Sequence, residues 1–296
     1  MNINTVAKTY LPSSFIMVLR TIREHTSVRL LRYYQSIRLK SFTSGIQKEV
    51  SFAGFKVLMF IKPDNGGVDN YIYLNSIHEP EILNVIRENV QVGDVVVDVG
   101  ANIGQHALFM SQFVGETGSV YAFEPLVNNT DSIQKSLNLN NGQNITIETM
   151  AVGEEDVAEV KMYVPETSND RSSRELVGMK TENIEKVKMT KLDSYFKDKK
   201  INFIKIDTEG FESEVITGAS NIIAKHKPKI LLEYAPKFYE GRKVDSTDLL
   251  LNLIEYGYVL HDVASGAQIE NVKAYTAFLT KGGSGISNIL ATYKIA

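Results

Sequence analysis

No cysteine occurs in this 296-residue chain. Disulfides, thiolate nucleophiles and cysteine-ligated metals are therefore excluded, and the redox compartment leaves no trace in the sequence. An excess of positive charge is also missing. The net charge is −3 and the isoelectric point near 6.0, whereas a nucleic-acid surface normally needs a clustered basic face, so no nucleic-acid partner is expected. No window reaches the run of about 18 apolar residues that spans a bilayer. The only apolar start is Phe15-Ile16-Met17-Val18-Leu19, cut short by Arg20, so no cleaved targeting segment is read. The default location is cytoplasmic. Two phosphate-binding signatures are missing as well: neither G-x-G-x-x-G nor the Walker pattern G-x-x-x-x-G-K-[ST] occurs.

What is present begins with Val95-Val96-Val97-Asp98-Val99-Gly100-Ala101-Asn102-Ile103-Gly104, an apolar run that ends at an acid and breaks into two glycines. A second apolar run, Ser119 to Phe123, closes on Glu124. A buried strand, a tight glycine turn at a helix start, and an acid on the next strand for ribose hydroxyls is how a doubly wound α/β domain holds a nucleoside. Gly100 and Gly104 are four apart, so no pyrophosphate cradle is formed, and a nucleoside without phosphates fits better. Asp98, at the strand end, either orients the turn or meets a cationic group of the ligand.

Strand and helix then alternate in the rhythm of parallel crossovers. Helix 103–113 leads to strand 119–123, helix 128–139 and strand 145–150. Strand 203–206, a helix over 212–224 and strand 229–232 follow. A helix over 248–256, strand 258–263, a long loop and strand 286–293 form a terminal hairpin that makes the last strand antiparallel. The expected fold is α/β: a doubly wound, Rossmann-like, mostly parallel sheet with an N-terminal helical and hairpin extension. Residues 1–76 form the extension and 77–296 the main domain. Within the extension, 47–52 and 55–61 read as a hairpin turning at Ala53-Gly54, and 64–67 as a loop. A helix over 80–89 precedes the first parallel strand. The polar, irregular stretch 153–186 is expected to hold a strand at 160–164 and a mobile loop at 166–174 suited to a lid.

Residues 12–41 read as a basic helix with Arg20, Arg23, Arg29, Arg32, Arg38 and Lys40 among apolar residues. Two uses fit: peripheral contact with an anionic membrane or a partner, or a helix packed on the domain with its charges solvated.

Several residues are candidates for chemistry. Asp207 and Glu209 close the strand 203–206, and Glu233 closes the strand 229–232. Strand ends on this side of an open sheet face the ligand crevice, so these carboxylates could deprotonate a hydroxyl or hold a divalent cation. Glu212 reads as an acid favouring the macrodipole of the following helix. His106, two residues past Gly104, is either a base or a packing residue.

In order, these motifs resemble the FkbM family of S-adenosylmethionine-dependent methyltransferases. The likeness runs from about Ile77 to Glu233. It rests on His78-Glu79-Pro80-Glu81, Gly93 to Gly104, Phe123-Glu124-Pro125, Ala151-Val152-Gly153, Thr190 to Tyr195, Ile204 to Glu212 and Pro228 to Glu233. The resemblance implies that Asp98, Gly100, Ala101, Asn102 and Gly104 line the methionine part of S-adenosylmethionine. It further implies that Glu124, followed by Pro125, holds the ribose, and that Ala151 and Val152 lie near the adenine. Glu79 either reaches the amino-acid end of the cofactor or caps the helix that follows. The implied reaction is methylation of a small-molecule hydroxyl, commonly on a sugar, glycolipid or natural product. For the base, Asp207 is the first choice, with Glu209, Glu233 and His106 behind it. A metal at Asp207 and Glu233 would resemble the catechol-type methyltransferases. Gln105-His106 stands where family members often carry an aromatic residue. Two rivals stay open: a non-catalytic nucleoside-binding module joined to a membrane or partner through residues 12–41, and a nicotinamide-dependent oxidoreductase.

Overall fold

The computed structural model describes residues 44–140, 144–164, 183–240, 242, 244–281 and 285–294. The basic segment 12–41 and the loop 166–174 lie outside the described residues. In chain order the strands are β1 (Ile46–Phe52), β2 (Phe55–Ile61), β3 (Val95–Val99), β4 (Ser119–Phe123), β5 (Ile145–Glu148), β6 (Ala151–Val152), β7 (Val157–Tyr163), β8 (Ile184–Thr190), β9 (Phe203–Ile206), β10 (Lys229–Tyr234), β11 (Tyr258–Asp262) and β12 (Ser287–Tyr293).

Seven of them make one sheet in the order β11-β12-β10-β9-β3-β4-β5. The pairs β5-β4, β4-β3, β3-β9 and β9-β10 are parallel; β12 runs antiparallel to both β10 and β11. The last strand therefore enters between β10 and β11 rather than adding at the edge. The fold is α/β with a mostly parallel sheet, and the two-residue period of its central strands divides it into two cores. Val97 and Val99 of β3 pack with Ile204 and Ile206 of β9 on one face. Val96 and Phe203 pack on the other.

That second face is covered by helices Pro80–Asn89 and Gln105–Val114 and by the β1-β2 hairpin, whose Val50, Val57, Met59 and Ile61 belong to the same core. Helix Gln105–Val114 is buried almost all round, with Phe109 edge-on to Phe52 at 5.9 Å and Phe113 edge-on to Phe55 at 5.2 Å. A helix apolar on every side needs cover on every side, and the hairpin supplies what the sheet leaves open. The hairpin is tied down by Phe60 N–H donating to Ser136 Oγ (2.9 Å) and by Leu58 N–H donating to Asn140 Oδ1 (2.7 Å).

Four expectations need correction. The stretch 212–224 is two helices, Glu212–Thr217 and Ser220–His226. The break is at Gly218, where a Cβ would stand 2.0 Å from the Gly153 carbonyl oxygen and the chain must stay bare to let β6 approach. The strand read over 145–150 stops at Glu148, and Ala151–Val152 joins a separate sheet of order β6-β8-β7. The long loop before the last strand contains helix Val272–Lys281, and the loop at 64–67 leads into helix Gly67–Asn75. Both helices carry weak sequence signals because tertiary contacts stabilise them more than propensity does. Among the described residues, no helix is long and apolar enough to cross a membrane.

Candidate active site

A cavity of about 250 Å³ opens at the carboxyl ends of β3, β4, β9 and β10, where open α/β sheets bind ligands. Its glycine turn is shaped by two neighbouring strands. Gly100 and Ala101 both donate their N–H to the Phe123 carbonyl (2.9 and 3.0 Å). Gly100 has φ +79, and a Cβ there would lie 1.8 Å from the Asp207 carbonyl oxygen. The glycine is thus demanded by the end of β9 as much as by any ligand.

Asn102, at φ 51, donates its N–H to Glu124 Oε2 (2.9 Å). Glu124 Oε1 accepts from the Leu126 N–H and from Asn129 Nδ2, each at 3.1 Å. The acid at the end of β4 therefore knits the turn to the following helix while lining the cavity. Burial pushes its carboxyl up to about 7, against the pull of these hydrogen bonds. Glu124 thus makes contacts to the start of the following helix alongside its position in the cavity wall.

Gly100, Ala101, Asn102, Glu124, Pro125, Ala151 and Val152 line the cavity, as do Glu79, His106, Asp207, Glu209 and Glu233. Two expected residues do not. Asp98 is fully buried behind the wall. Gly104 faces away, with Ile133 Cγ1 2.9 Å from where its Cβ would stand, so its φ of +86 and helix packing account for the glycine.

The largest feature missed in the sequence is Lys205. It stands directly opposite Asp98 in the β3-β9 register, its side chain 5 % exposed, its Nζ 3.4 Å from Asp98 Oδ1 and 3.3 Å from Asp207 Oδ2. Asp98 thus has its cation within the protein. Burial by itself would lower the Lys205 ammonium, but the carboxylates of Asp207, Asp98 and Glu79 outweigh it and hold the group charged. Its one sequence signal was a lysine inside Phe203-Ile204-Lys205-Ile206, an otherwise apolar central strand.

Across the cavity, Glu79 occupies a left-handed backbone position (φ 47, ψ 58) before helix Pro80–Asn89 and makes no capping hydrogen bond with its side chain. Its Oε2 lies 3.5 Å from His78 Nδ1 and 3.9 Å from His106 Nε2. Burial, and then the Asp207 carboxylate, push its carboxyl up to about 7. His106 is lowered well below the usual imidazole range by burial, Lys205 and His78, and so stays neutral. Burial and the neighbouring Asp207, Glu209, Glu212 and Glu79 raise Glu233 far above the carboxylate range, keeping it protonated.

The loop after β9 is built by Glu212, whose Oε1 accepts from Thr208 N–H (3.1 Å), Thr208 Oγ1 (3.0 Å) and Gly210 N–H (3.1 Å); its Oε2 accepts from Tyr239 OH (2.8 Å). Glu212 lies in the first turn of its helix as expected, but at 1 % exposure it also folds back to hold Asp207 to Gly210 in place. Apolar wall comes from Met150, Val152, Met162, Met189 and Phe211, with Val68 of helix Gly67–Asn75 at another edge. Among the described residues, no three or more His, Asp or Glu side chains gather as metal ligands, so the metal expected at Asp207 and Glu233 lacks a ligand set. The cation that Asp207 meets is Lys205.

Comparison with known proteins places this geometry. The model of the methyltransferase FkbM domain matches residues 98–260. Protein-L-isoaspartate O-methyltransferase of Fervidobacterium nodosum is 34 % identical over 77 residues, which are 25 % of this chain and 39 % of that protein. Among solved structures, the methyltransferase FkbM of Methylobacillus flagellatus KT aligns with a TM-score of 0.42 at 22 % identity, covering 68 % of this chain and 43 % of that one. A putative methyltransferase of Streptococcus mutans in complex with SAH aligns at 0.43 and 9 % identity, covering 73 % and 98 %. The chain spans less than half the length of the first two relatives. With the domain model matching more than half of its residues, the chain belongs to the FkbM-domain methyltransferase family.

Proposed function

We propose that this protein is an S-adenosylmethionine-dependent methyltransferase acting on a hydroxyl of a small molecule, such as a sugar, glycolipid or natural product. One observation carries the reading: the glycine turn, Glu124 and the carboxylates after β9 border a single cavity at the strand ends. The family and the relative named as an O-methyltransferase support it.

The residues present fit the cofactor. A carboxylate oxygen accepts two hydrogen bonds, and Glu124 Oε2 holds one, from Asn102, which leaves capacity for a ribose hydroxyl. Met150, Val152, Met162 and Met189 provide a polarizable apolar wall for a planar base. Asp207 and Glu209 are anions suited to the amino group of the methionine portion. When bound, S-adenosylmethionine supplies a sulfonium methyl that is already electrophilic. The work left to the chain is to align an acceptor oxygen with that methyl, exclude water and take up the hydroxyl proton. Asp207, Glu209 and His106 line the same cavity, as does Glu79.

The test has two arms. Calorimetric titration with S-adenosylhomocysteine should show stoichiometric binding that Glu124→Ala weakens at least tenfold; absence of binding would sink the cofactor assignment. Methyl transfer from 13C-methyl S-adenosylmethionine to a panel of alkyl glycosides and phenols should yield methyl ethers by NMR. Label on nitrogen or carbon alone would overturn the hydroxyl assignment.

A further inference from the structure

We propose that Glu79 is the catalytic proton acceptor of this site, taking the hydroxyl proton at a position beside His106 where Gln105 holds its segment in place. The inference rests on the methyl-transfer reading and departs from the placing of Glu79 at the amino-acid end of the cofactor.

The geometry separates Glu79 from its rivals. Asp207 is engaged by the buried Lys205 ammonium at 3.3 Å, and protonating it would break a charge-assisted contact. Glu233 holds its proton already. His106 is 8 % exposed, and among the described residues its Nε2 has no hydrogen-bond partner; the adjacent Lys205 charge opposes a second positive charge there. Among the described residues, only the imidazoles of His78 and His106 lie within ion-pair distance of Glu79; the Lys205 ammonium acts on it from farther off, and Glu79 lines the cavity. Charged groups face it from every side: His78 and Glu81 on its own segment, His106 on helix Gln105–Val114, Lys205 and Asp207 at β9, and Glu233 on β10. Burial and Asp207 bring its carboxyl into the neutral range, which suits a general base.

Its placement is costly and specifically held. A non-glycine residue in the left-handed region costs on the order of 1 kcal/mol, and the following Pro80 restricts it further. Gln105 fixes the peptide of the preceding residue from both sides: His78 N–H donates to Gln105 Oε1 (2.8 Å) and Gln105 Nε2 donates to the His78 carbonyl (2.6 Å). The side chain therefore points at the cavity and His106 instead of capping its helix.

In the transfer, the acceptor oxygen forms its bond to the methyl carbon as the carbon–sulfur bond breaks with its electron pair passing to sulfur. The O–H proton moves to Glu79 Oε2. A methyl ether, a neutral thioether and a protonated Glu79 result, so charge and atoms balance.

Three measurements on the full chain decide it. In a 13C-carboxyl NMR titration of ligand-free wild type, the resonance missing from Glu79→Gln should have a midpoint near neutrality; a midpoint in the ordinary carboxylate range overturns the proposal. By calorimetry, Glu79→Gln should bind S-adenosylhomocysteine within about threefold of wild type, and a tenfold or greater loss would make Glu79 a cofactor ligand instead. With any glycoside or phenol that wild type methylates, Glu79→Gln should lower kcat by about 100-fold or more with KM little changed; retained turnover overturns the base assignment. If wild type binds S-adenosylhomocysteine yet methylates no hydroxyl, the hydroxyl reading fails, and the assignment of Glu79 as its base falls with it.

Discussion

Lys205 and Asp98 stand opposite one another on adjacent parallel strands, ammonium to carboxylate at 3.4 Å, with Asp98 fully buried and Lys205 5 % exposed. Lys205 also meets Asp207 at 3.3 Å, so one cation joins the acid at the end of β3 to the acid after β9. The Ala107 backbone N–H also acts on the Asp98 carboxyl, but the Lys205 ammonium is its main compensation, and the pair sits against the floor of the cavity.

Removing one member should expose that dependence. Lys205→Met leaves Asp98 buried without a cation and should cost about 3–5 kcal/mol of unfolding free energy. The double variant Lys205→Met with Asp98→Asn should recover a large part of the loss, since the uncompensated charge is gone. Urea denaturation followed by circular dichroism measures both; a single variant within 1 kcal/mol of wild type, on the order of a surface change, would refute the arrangement.

The two glycines of the turn should differ in kind. At Gly100 an added methyl meets backbone, the Asp207 carbonyl oxygen, and cannot be accommodated without moving β9; at Gly104 it meets a side chain, that of buried Ile133. Both substitutions carry the left-handed strain of about 1–2 kcal/mol. Gly100→Ala should in addition weaken S-adenosylhomocysteine binding by at least tenfold, whereas Gly104→Ala should affect stability and leave affinity within about threefold. Equal affinity losses would mean that both glycines serve the ligand.

Glu212 should behave as the keystone of the loop after β9. Glu212→Ala strips the acceptor from Thr208, Gly210 and Tyr239 and should cost about 3 kcal/mol, a buried network with several donors left unsatisfied. Tyr239→Phe removes one of those contacts and should cost about 1 kcal/mol. Thermal melts of the two variants test the ranking. Tyr239→Phe as damaging as Glu212→Ala would place the weight on the tyrosine.

Stability should fall as pH rises through the neutral range. Glu124 and Glu79 have folded-state values raised to about 7 from 4.5, so between about pH 4.5 and 7 the folded chain binds more protons than the unfolded one. By linkage each such group lowers stability by up to about 1.4 kcal/mol per pH unit across that window, and for the fully buried Glu124 the total is about 3 kcal/mol. Unfolding free energies at pH 5 and pH 8 measure the slope. Glu124→Gln should flatten it; an unchanged slope in that variant would show that Glu124 is ionised at pH 5 in the folded state.

The buried strand, glycine turn and following acid could be read in the residues because each is local: four valines around Asp98, two glycines, and Glu124 closing the next run. The strand order is less local. That β12 inserts between β10 and β11 depends on which edge the last segment reaches, a matter of long-range packing that periodicity does not encode. Helix Val272–Lys281 escaped notice for a related reason, since only Val272 and Leu279 are buried in it and the apolar stripe is thin. The loop-holding role of Glu212 escaped notice because an acid in the first turn of a helix looks the same in sequence whether it faces solvent or folds back beneath a loop.

The sequence by itself determined the α/β class, the nucleoside-type turn and the set of acids collected at the strand ends, because these follow from hydrophobic period, glycine spacing and position after a strand. Only the tertiary structure decided how those acids are partnered and which of them are crowded together. Lys205 crosses from one strand to the next to hold Asp98 and Asp207, Glu233 is crowded into protonation, and Glu79 is carried in from a distant segment to face His106. Protonation depends on burial and on charges a few ångströms away, and those distances exist only once the chain is folded.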